Sequence, residues 1–303
     1  MKHINYFFIA LLFVAGFLSC KSPPSPAETS AAAASIETSS SVWKISRNGK
    51  TLFLAGSIHL LREADLPLPE EFDRAFSLSD ILVLEADAEE MANPEIAQYL
   101  AEQMLLPGNE TLQSILDRDT YEQLSQVCNE YGFSIDDVAK LKPSMIINIL
   151  SVLQIQKYGF IQQGVDDYYL GKAKNENKPV NFLESAQSQI ELIIKMGDGY
   201  ENEYVNYSIQ DMADTEEGLE MLVSEWKNGE SAVIKETLKE MKEQWPVIYK
   251  ALITNRHDAW IPQIEKFLAS GQVYFVIAGV LHMHGSDGLL LRLENLGYAV
   301  EKF

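Results

Sequence analysis

The sequence predicts an α/β fold in which a central sheet is flanked by helices and the middle of the chain is largely helical. Short apolar runs of strand length, such as 81–84 and 273–278, recur along the chain and end near polar residues. The segments between them place apolar residues three and four positions apart, which is typical of amphipathic helices. From about 201 to 268 this helical spacing continues almost without a break.

The first 19 residues have the pattern of a secretory signal. An early lysine precedes an apolar run over 6–18 that is too short to cross a membrane comfortably. Cys20 follows a Leu-Ser pair, which resembles the box at which bacterial lipoproteins are cleaved and lipidated, although Phe17 stands where leucine is usual. We expect a lipid anchor on Cys20 and a place in the cell envelope, on a bacterial membrane, facing the periplasm or the exterior. The alternatives are an ordinary signal peptide or an uncleaved anchor.

Residues 20–41 form the expected connection between that anchor and a folded body. After Cys20 the segment consists mostly of Ser, Pro, Ala and Thr, so it cannot bury enough surface to offset its ordering entropy. The remaining 42–303 fits one large domain, or a domain with an inserted helical lobe. With Cys20 lipidated, Cys128 has no disulfide partner within the chain. Its position on a helical stretch favours a packed core residue over a nucleophile.

The charge of the chain argues against one class of partner. The net charge is −20, from 44 acidic and 24 basic residues. Nucleic acid would be repelled by this charge, and no basic stripe is visible that could bind its phosphates. We therefore expect no nucleic-acid partner and interpret the acidity as an aid to solubility.

The elements can be assigned along the chain in order. Alternating apolar residues on either side of Asn48-Gly49 predict a β-hairpin over 42–54, because this dipeptide suits a type I′ turn. Pro246 kinks or divides the long helical region. Further strands are expected at 81–85, 180–183, 273–278 and 298–300, and helices from 67, over 93–131, from 142, over 164–174, from 187, over 201–268 and over 289–296.

Four of the predicted strands deliver a polar side chain where they end, namely His59, Glu85, Glu184 and His282. Such a side chain lies at the rim of the sheet, where α/β proteins place their ligands. Two imidazoles and two carboxylates are side chains that a divalent transition metal prefers. A glycine stands three residues before each histidine, where it permits a sharp turn or a close backbone approach. The pattern favours a metal site, and the alternative is two histidines that only pack at strand ends.

Other polar residues have less specific settings. Glu184 could instead cap the following helix or accept a hydrogen bond behind the site. Arg256, in a polar stretch of an amphipathic helix, could stabilise an oxyanion, clamp one of the two glutamates by a forked hydrogen bond, or form a purely structural pair. His257 points a quarter-turn away on the same helix and is expected at the surface. His284 and Asp287 either extend the site or belong to an exposed loop, Asp287 as a turn former.

Residues 42–303 resemble the TraB/GumN family of bacterial proteins, to which the animal Tiki metalloproteases are related. The resemblance covers almost the whole predicted domain, and the order and spacing of its motifs are more specific than any one of them. The chain departs from the usual pattern after the second Gly-x-x-His, where His284 adds an imidazole. The matching stretches are Leu54-Ala55-Gly56-Ser57-Ile58-His59-Leu60, Val83-Leu84-Glu85, Gly164-Val165-Asp166, Lys178-Pro179-Val180, Leu183-Glu184-x-x-Gln187, Asn255-Arg256-x-x-Trp260, Ala278-Gly279-x-x-His282 and Gly285-Ser286-Asp287-Gly288-Leu289.

This resemblance implies a central mixed sheet similar to that of the erythromycin-esterase and ChaN-like proteins, with a divalent metal ion such as Mn²⁺, Co²⁺ or Zn²⁺. His59 and His282 would be metal ligands. Glu85 would be a further ligand, or the base that activates a metal-bound water. Glu184 and Arg256 would complete the catalytic set.

The same resemblance implies a function. Because Tiki-like enzymes are metal-dependent peptidases, we expect an exported metal-dependent hydrolase that acts on a peptide or protein substrate. One alternative is a non-catalytic binding protein on the same scaffold, since ChaN-like relatives bind haem and TraB-type members are linked to pheromone inhibition. Another is a structural lipoprotein.

Overall fold

The computed structural model describes residues 40–303 except 88, 91, 92, 161, 213 and 214, and the side chains of 60, 162, 163 and 215 are also outside the description. The predicted signal segment 1–19, the lipidation site Cys20 and the tether up to residue 39 lie outside the described residues. No helix within the described ranges is long and apolar enough to cross a membrane.

The strands of the described chain are β1 Val42–Arg47, β2 Lys50–Ser57, β3 Leu60–Leu61, β4 Ile81–Leu84, β5 Gln162–Gln163, β6 Val180–Phe182, β7 Tyr274–Gly279 and β8 Ala299–Lys302. Six of them form one sheet in the order β6-β4-β7-β2-β1-β8, and β3 pairs with β5 separately. β6, β4, β7 and β2 run parallel, whereas β1 is antiparallel to both β2 and β8. The predicted mixed sheet is confirmed, and only the short β3–β5 pair was not expected.

The helices cover most of the remaining chain. Pro246 divides the long helical region as predicted, and a π-helical turn, Lys250–Thr254, then leads directly into the last long helix. The predicted helix over 93–131 is divided into three. The helices are α1 Glu70–Leu78, α2 Pro94–Gln103, α3 Leu112–Ile115, α4 Arg118–Glu130, α5 Pro143–Lys157, α6 Val165–Glu176, α7 Ala186–Ile194, α8 Glu201–Met212, α9 Thr215–Asn228, α10 Ala232–Gln244, α11 Pro246–Tyr249, α12 Asn255–Ser270 and α13 Leu289–Asn295.

The hairpin of β1 and β2 follows from its turn residues. Asn48 has a φ of 53° and Gly49 a φ of 77°, which is the left-handed conformation that a type I′ turn requires at both central positions. Arg47 pairs with Lys50 next to the turn, and the ladder continues to Val42 and Ala55. The predicted hairpin and its turn type are therefore confirmed.

The sheet separates two hydrophobic cores because successive side chains of a strand point to opposite faces. On β2, Phe53 and Ala55 belong to the larger core, which includes the buried side chains of the helical middle region, and Leu52 and Leu54 belong to the smaller core. The smaller core is closed by α12 and α13. Cys128 is fully buried in the larger core, where burial raises the pKa of its thiol to about 11. This setting agrees with the expected core role.

The start of the described chain is fixed against β2 and the helical middle region. Ser41 is fully buried, and its carbonyl accepts a hydrogen bond of 2.8 Å from the backbone N–H of Gly56. Trp226, on α9, donates from Nε1 to the carbonyl of Gly56 at 2.7 Å. The helical middle region is thereby attached to the strand that leads to His59.

Gly56 lies where the backbone of β2 passes close to the turn after β7, as expected for this glycine. A Cβ at this position would lie 2.8 Å from Cγ2 and 3.0 Å from Cα of Val280. We therefore predict that Gly56→Ala lowers the free energy of unfolding by about 1–3 kcal/mol, because the turn after β7 must shift. Urea unfolding measures this change.

The matched control is Gly171→Ala. Gly171 lies inside α6 with open space around its missing Cβ, so alanine is expected to raise the free energy of unfolding by about 0.5–1 kcal/mol. Equal effects of the two substitutions would contradict the close contact at Gly56.

Candidate functional site

The four polar residues predicted at strand ends lie along one edge of the sheet. The parallel strands β6, β4, β7 and β2 are neighbours in this order, so their carboxyl ends lie side by side. Each of these strands is followed within three residues by one of the four side chains. In the order of the strands they are Glu184, Glu85, His282 and His59. This edge is the place where α/β sheets bind their ligands.

Glu85 is held by N–H donors from three different elements. Its Oε1 accepts a hydrogen bond of 2.6 Å from the backbone N–H of Gly279, at the end of β7. Its Oε2 accepts one of 2.8 Å from Nε2 of Gln189, on α7, and one of 2.5 Å from Nη2 of Arg256. The side chain is only 4% exposed, so these contacts replace water and fix the carboxylate. Gln189 was not recognised in the sequence, because nothing in its surroundings marks it as polar and buried.

Arg256 joins both glutamates to His282. Its Nη2 also donates to Glu184 Oε1 at 2.6 Å, and its Nε donates to Glu184 Oε2 at 3.2 Å. Its Nη1 lies 2.8 Å from His282 Nε2. Burial disfavours the charged guanidinium, yet the two carboxylates raise the pKa of Arg256 above its ordinary value. The forked hydrogen bond expected of Arg256 is therefore present, and it involves both glutamates.

Glu184 is the more open of the two carboxylates. Its side chain is 16% exposed, compared with 4% for Glu85, and Arg256 provides the side-chain donors that hold its oxygens. Burial raises the pKa of Glu184, although the neighbouring guanidinium opposes this effect. Glu184 does not cap α7, since Ser185 does so by accepting from the N–H of Ser188.

His282 is buried between Arg256 and a second imidazole. Its Nδ1 lies 2.9 Å from Nε2 of His257, and Trp260 packs against its ring with a centroid distance of 4.8 Å. Burial, together with the positive charge of Arg256, lowers the pKa of His282 well below its ordinary value. The ring is therefore neutral at neutral pH.

The expectation that His257 lies at the surface is wrong. The residue is fully buried, and its Nδ1 lies 2.7 Å from the carbonyl oxygen of Asp287. Burial lowers the pKa of His257 to about 4. The first turn of α12 packs against the end of β7 and the loop that follows it. Both Arg256 and His257 are therefore buried under these segments. The signal that could have identified His257 is its place beside Arg256 in a polar stretch of an otherwise amphipathic helix.

His59 pairs with Asp166, which belongs to the Gly164-Val165-Asp166 stretch for which we predicted no role in the site. Its Nδ1 lies 2.8 Å from Oδ2 of Asp166, whose Oδ1 accepts a hydrogen bond of 3.1 Å from Ser57. Burial lowers the pKa of His59, but the carboxylates of Asp166, Glu85 and Asp167 together outweigh this effect and raise it to about 9. Gly164 lies so close that an added Cβ would be 2.2 Å from the carbonyl oxygen of His59. The start of α6 is thus seated directly on the turn that carries His59.

The side chains of His284 and Asp287 do not join the cluster around Arg256. The ring of His284 is partly buried in an edge contact with Trp43, with a centroid distance of 5.4 Å, so it is not a fully exposed loop histidine either. Burial, with Lys235 and Lys302 nearby, lowers the pKa of His284 to about 4. The Asp287 carboxylate pairs with Lys242 at 2.7 Å.

The predicted metal-ligand set fits an ion in part. Among the described residues, no group of three or more His, Cys, Asp or Glu side chains surrounds one point. One pair fits, because His282 Nε2 lies 3.7 Å from Glu85 Oε1, and two bonds of about 2.1 Å to a shared ion can span up to about 4.2 Å. The other ring nitrogen of His59, Nε2, is buried. An ion at this pair must displace the contact between Arg256 and His282.

The fold and this cluster define an α/β protein with a buried polar site at the carboxyl edge of its sheet. The chain matches the TraB/PrgY/gumN family over residues 41–302, and it belongs to that family. The match confirms the resemblance found in the sequence motifs.

Two curated proteins are similar to the chain over most of its length. The uncharacterized protein YbaP of Escherichia coli strain K12 is 26% identical over 238 residues, which cover 78% of this chain and 85% of YbaP. The uncharacterized protein YbaP of Shigella flexneri matches with the same values. No solved structure shows a significant match to the chain.

The cluster makes a prediction about stability. We expect Arg256→Met to lower the free energy of unfolding by about 3–5 kcal/mol, because two buried carboxylates lose the cation that neutralises them. Chemical unfolding of the purified protein measures the change. Arg118→Met is the control, since Arg118 pairs with Glu122 at 2.8 Å on the surface and its side chain is 86% exposed.

The control is expected to leave stability unchanged within the error of the measurement, because exposed ion pairs contribute little. A similarly small effect of Arg256→Met would show that the guanidinium is not the counter-charge of this site.

Proposed function

We propose that this protein is an exported metal-dependent hydrolase that cleaves peptide bonds. The observation that carries the proposal is the position of Glu184, Glu85, His282 and His59 at the carboxyl ends of four adjacent parallel strands. A chain that only needs to leave its sheet does not require two imidazoles and two carboxylates there. Their donor atoms match the preferences of a divalent transition metal.

The residues proposed to hold the ion are His282, Glu85 and His59. His282 Nε2 and Glu85 Oε1 are at a distance that one ion can bridge. His59 would bind through Nε2, because Asp166 engages its Nδ1. An ion at Nε2 must displace the ring proton, which the carboxylates around His59 stabilise. When bound, a divalent cation lowers the pKa of a coordinated water toward neutrality and polarises a carbonyl oxygen.

The two glutamates are suited to different tasks. Glu85 is nearly inaccessible and receives three N–H donors, which suits an oriented, negatively charged ligand. Glu184 is more exposed and is held mainly by the guanidinium of Arg256. It is therefore the better placed of the two to take a proton from the attacking water and give it to the leaving amine. Arg256 keeps both carboxylates in position for these tasks.

A groove beside Glu184 supports a peptide as the substrate. It has a volume of about 530 Å³ and runs along the edge strand β6 between Val180 and Ser185, with Gln263 and Phe267 opposite. The backbone of Pro179 and Leu183 bonds toward β4, so the N–H and C=O groups of Val180 and Phe182 point outward. Outward backbone groups on an edge strand are the partners that an extended peptide needs.

The non-catalytic alternative has less support. Haem binding requires an apolar cleft with an axial histidine or tyrosine, whereas His282 Nε2 faces the charged guanidinium of Arg256. A structural role for both histidines does not explain why Glu85 and Glu184 both pair with the guanidinium of Arg256.

The metal content of the purified protein tests the first part of the proposal. We expect about one bound Mn²⁺, Co²⁺ or Zn²⁺ per chain after loading and dialysis, because the three proposed ligands would hold a single ion. In His59→Ala and His282→Ala we expect the bound metal to fall below about a tenth of that value, since each substitution removes a ligand. Unchanged metal content in both variants would contradict the site.

Cleavage of unfolded fluorogenic peptides tests the second part. We expect activity that depends on the added metal and falls by about 10²–10⁴-fold in Glu184→Ala, which removes the proposed acid–base group. Glu89→Ala is the control, because Glu89 is exposed and pairs with Lys174 on the surface. A protein that binds metal through His59 and His282 but cleaves no peptide would be a binding protein.

We also propose that the protein is anchored to a bacterial membrane by a lipid on Cys20. The support is the lipoprotein-like box before Cys20 and the tether after it. Cys20→Ser is expected to move the protein from the membrane fraction to the soluble fraction, because the thiol that carries the lipid is lost. Immunodetection after fractionation measures this shift. Retention of the variant in the membrane fraction would support an uncleaved anchor instead.

A further inference from the structure

A chain of hydrogen bonds connects two buried imidazoles to the candidate metal site. It runs from Arg256 Nη1 to His282 Nε2 at 2.8 Å, from His282 Nδ1 to His257 Nε2 at 2.9 Å, and from His257 Nδ1 to the carbonyl oxygen of Asp287 at 2.7 Å. The exposed fraction is 3% for His282 and 0% for His257. Water therefore has almost no access to either ring.

The two ends of this chain determine its direction. A guanidinium has only N–H donors, so the Nε2 atom of His282 must accept. A carbonyl oxygen can only accept, so the Nδ1 atom of His257 must donate to Asp287. With one proton on each neutral ring, the Nδ1 proton of His282 points to the lone pair of His257 Nε2. No other distribution of protons satisfies all three contacts.

We infer that His257 is a positioning residue that fixes the tautomer and the ring orientation of His282. By accepting from Nδ1, His257 supports the tautomer that the Arg256 contact also requires. It keeps the lone pair of His282 on Nε2 when an ion displaces that contact. A histidine that binds a metal depends on such a partner at its other ring nitrogen, since the partner sets the tautomer and makes the ligand more basic. The partner is usually a carboxylate or a carbonyl. Here it is the imidazole of His257, which itself donates a hydrogen bond to the carbonyl oxygen of Asp287.

The far end of the chain is itself anchored. The carboxylate of Asp287 accepts hydrogen bonds from Lys242 at 2.7 Å and from Tyr249 at 2.8 Å, which hold the loop that presents the Asp287 carbonyl. An alanine Cβ at Gly288 would lie 2.3 Å from the carbonyl oxygen of His284, so the loop is also tightly folded. The acceptor for His257 thus has a fixed position relative to α12.

The first test reads the tautomers directly. In purified protein labelled with ¹⁵N in its histidine rings, NMR at neutral pH should show the proton on Nδ1 in both His257 and His282. This result is diagnostic because free histidine at that pH does not place the proton of every ring on Nδ1. A proton on Nε2 of His282 in the wild-type protein would overturn the inference.

The second test uses a conservative and a non-conservative variant. His257→Gln can still accept from His282 and donate to Asp287, whereas His257→Leu can do neither. We expect the Nδ1 proton of His282 to be retained in His257→Gln. In His257→Leu we expect its signal to broaden or to show the second tautomer, because the Nδ1 proton has lost its acceptor and only the Arg256 contact still favours it. The affinity for Zn²⁺ should fall by about 10–100-fold in His257→Leu and change by less than about 3-fold in His257→Gln.

Only the affinity measurement rests on the proposed function. If the wild-type protein binds no Zn²⁺ but shows both Nδ1 protons, the proposed metal site fails and the positioning role of His257 stands. If His257→Leu keeps both the tautomer and the wild-type affinity, the positioning role fails and the metal site stands. Should His257→Leu not fold, the spectra of the wild type and of His257→Gln still decide the tautomer.

Discussion

The guanidinium of Arg256 meets acceptors that come from three separate strand ends. Removing this cation from water costs several kcal/mol, and the cost is offset only where every donor finds an acceptor. Glu85, Glu184 and His282 supply those acceptors at distances between 2.5 and 3.2 Å. The guanidinium is in turn the counter-charge of both carboxylates. The packing of α12 on the sheet and the placement of the three strand ends therefore depend on each other.

The site consists of an enclosed part and an open part. The enclosed part contains His257, His282 and Glu85, whose polar atoms are satisfied by neighbours rather than by water. The open part begins at Glu184 and continues into the groove along β6. A rigid, dry interior that orients ligand atoms, next to an accessible carboxylate, is what a hydrolytic site requires. The π-helical turn before Arg256 is a common feature of functional sites.

The strand ends were predictable because strands and turns leave local signals in the sequence. The Asn48-Gly49 turn, the apolar runs and the two Gly-x-x-His motifs define where strands stop, and the parallel topology then brings their ends together. The burial of His257 was not predictable, because helical spacing gives the direction of a side chain but not the neighbour it meets. Gln189 was missed for the same reason. The two-residue strands β3 and β5 are too short to show any periodicity.

The central claim is that side chains from adjacent strand ends bind one metal ion. X-ray absorption at the metal edge of the Zn²⁺-loaded protein tests it most directly, because imidazole rings scatter in a characteristic way. The account predicts two imidazole ligands and at least one carboxylate oxygen, at metal–ligand distances of about 2.0–2.2 Å, and one imidazole in His282→Ala. A spectrum without imidazole scattering, or one that is unchanged in His282→Ala, would contradict it.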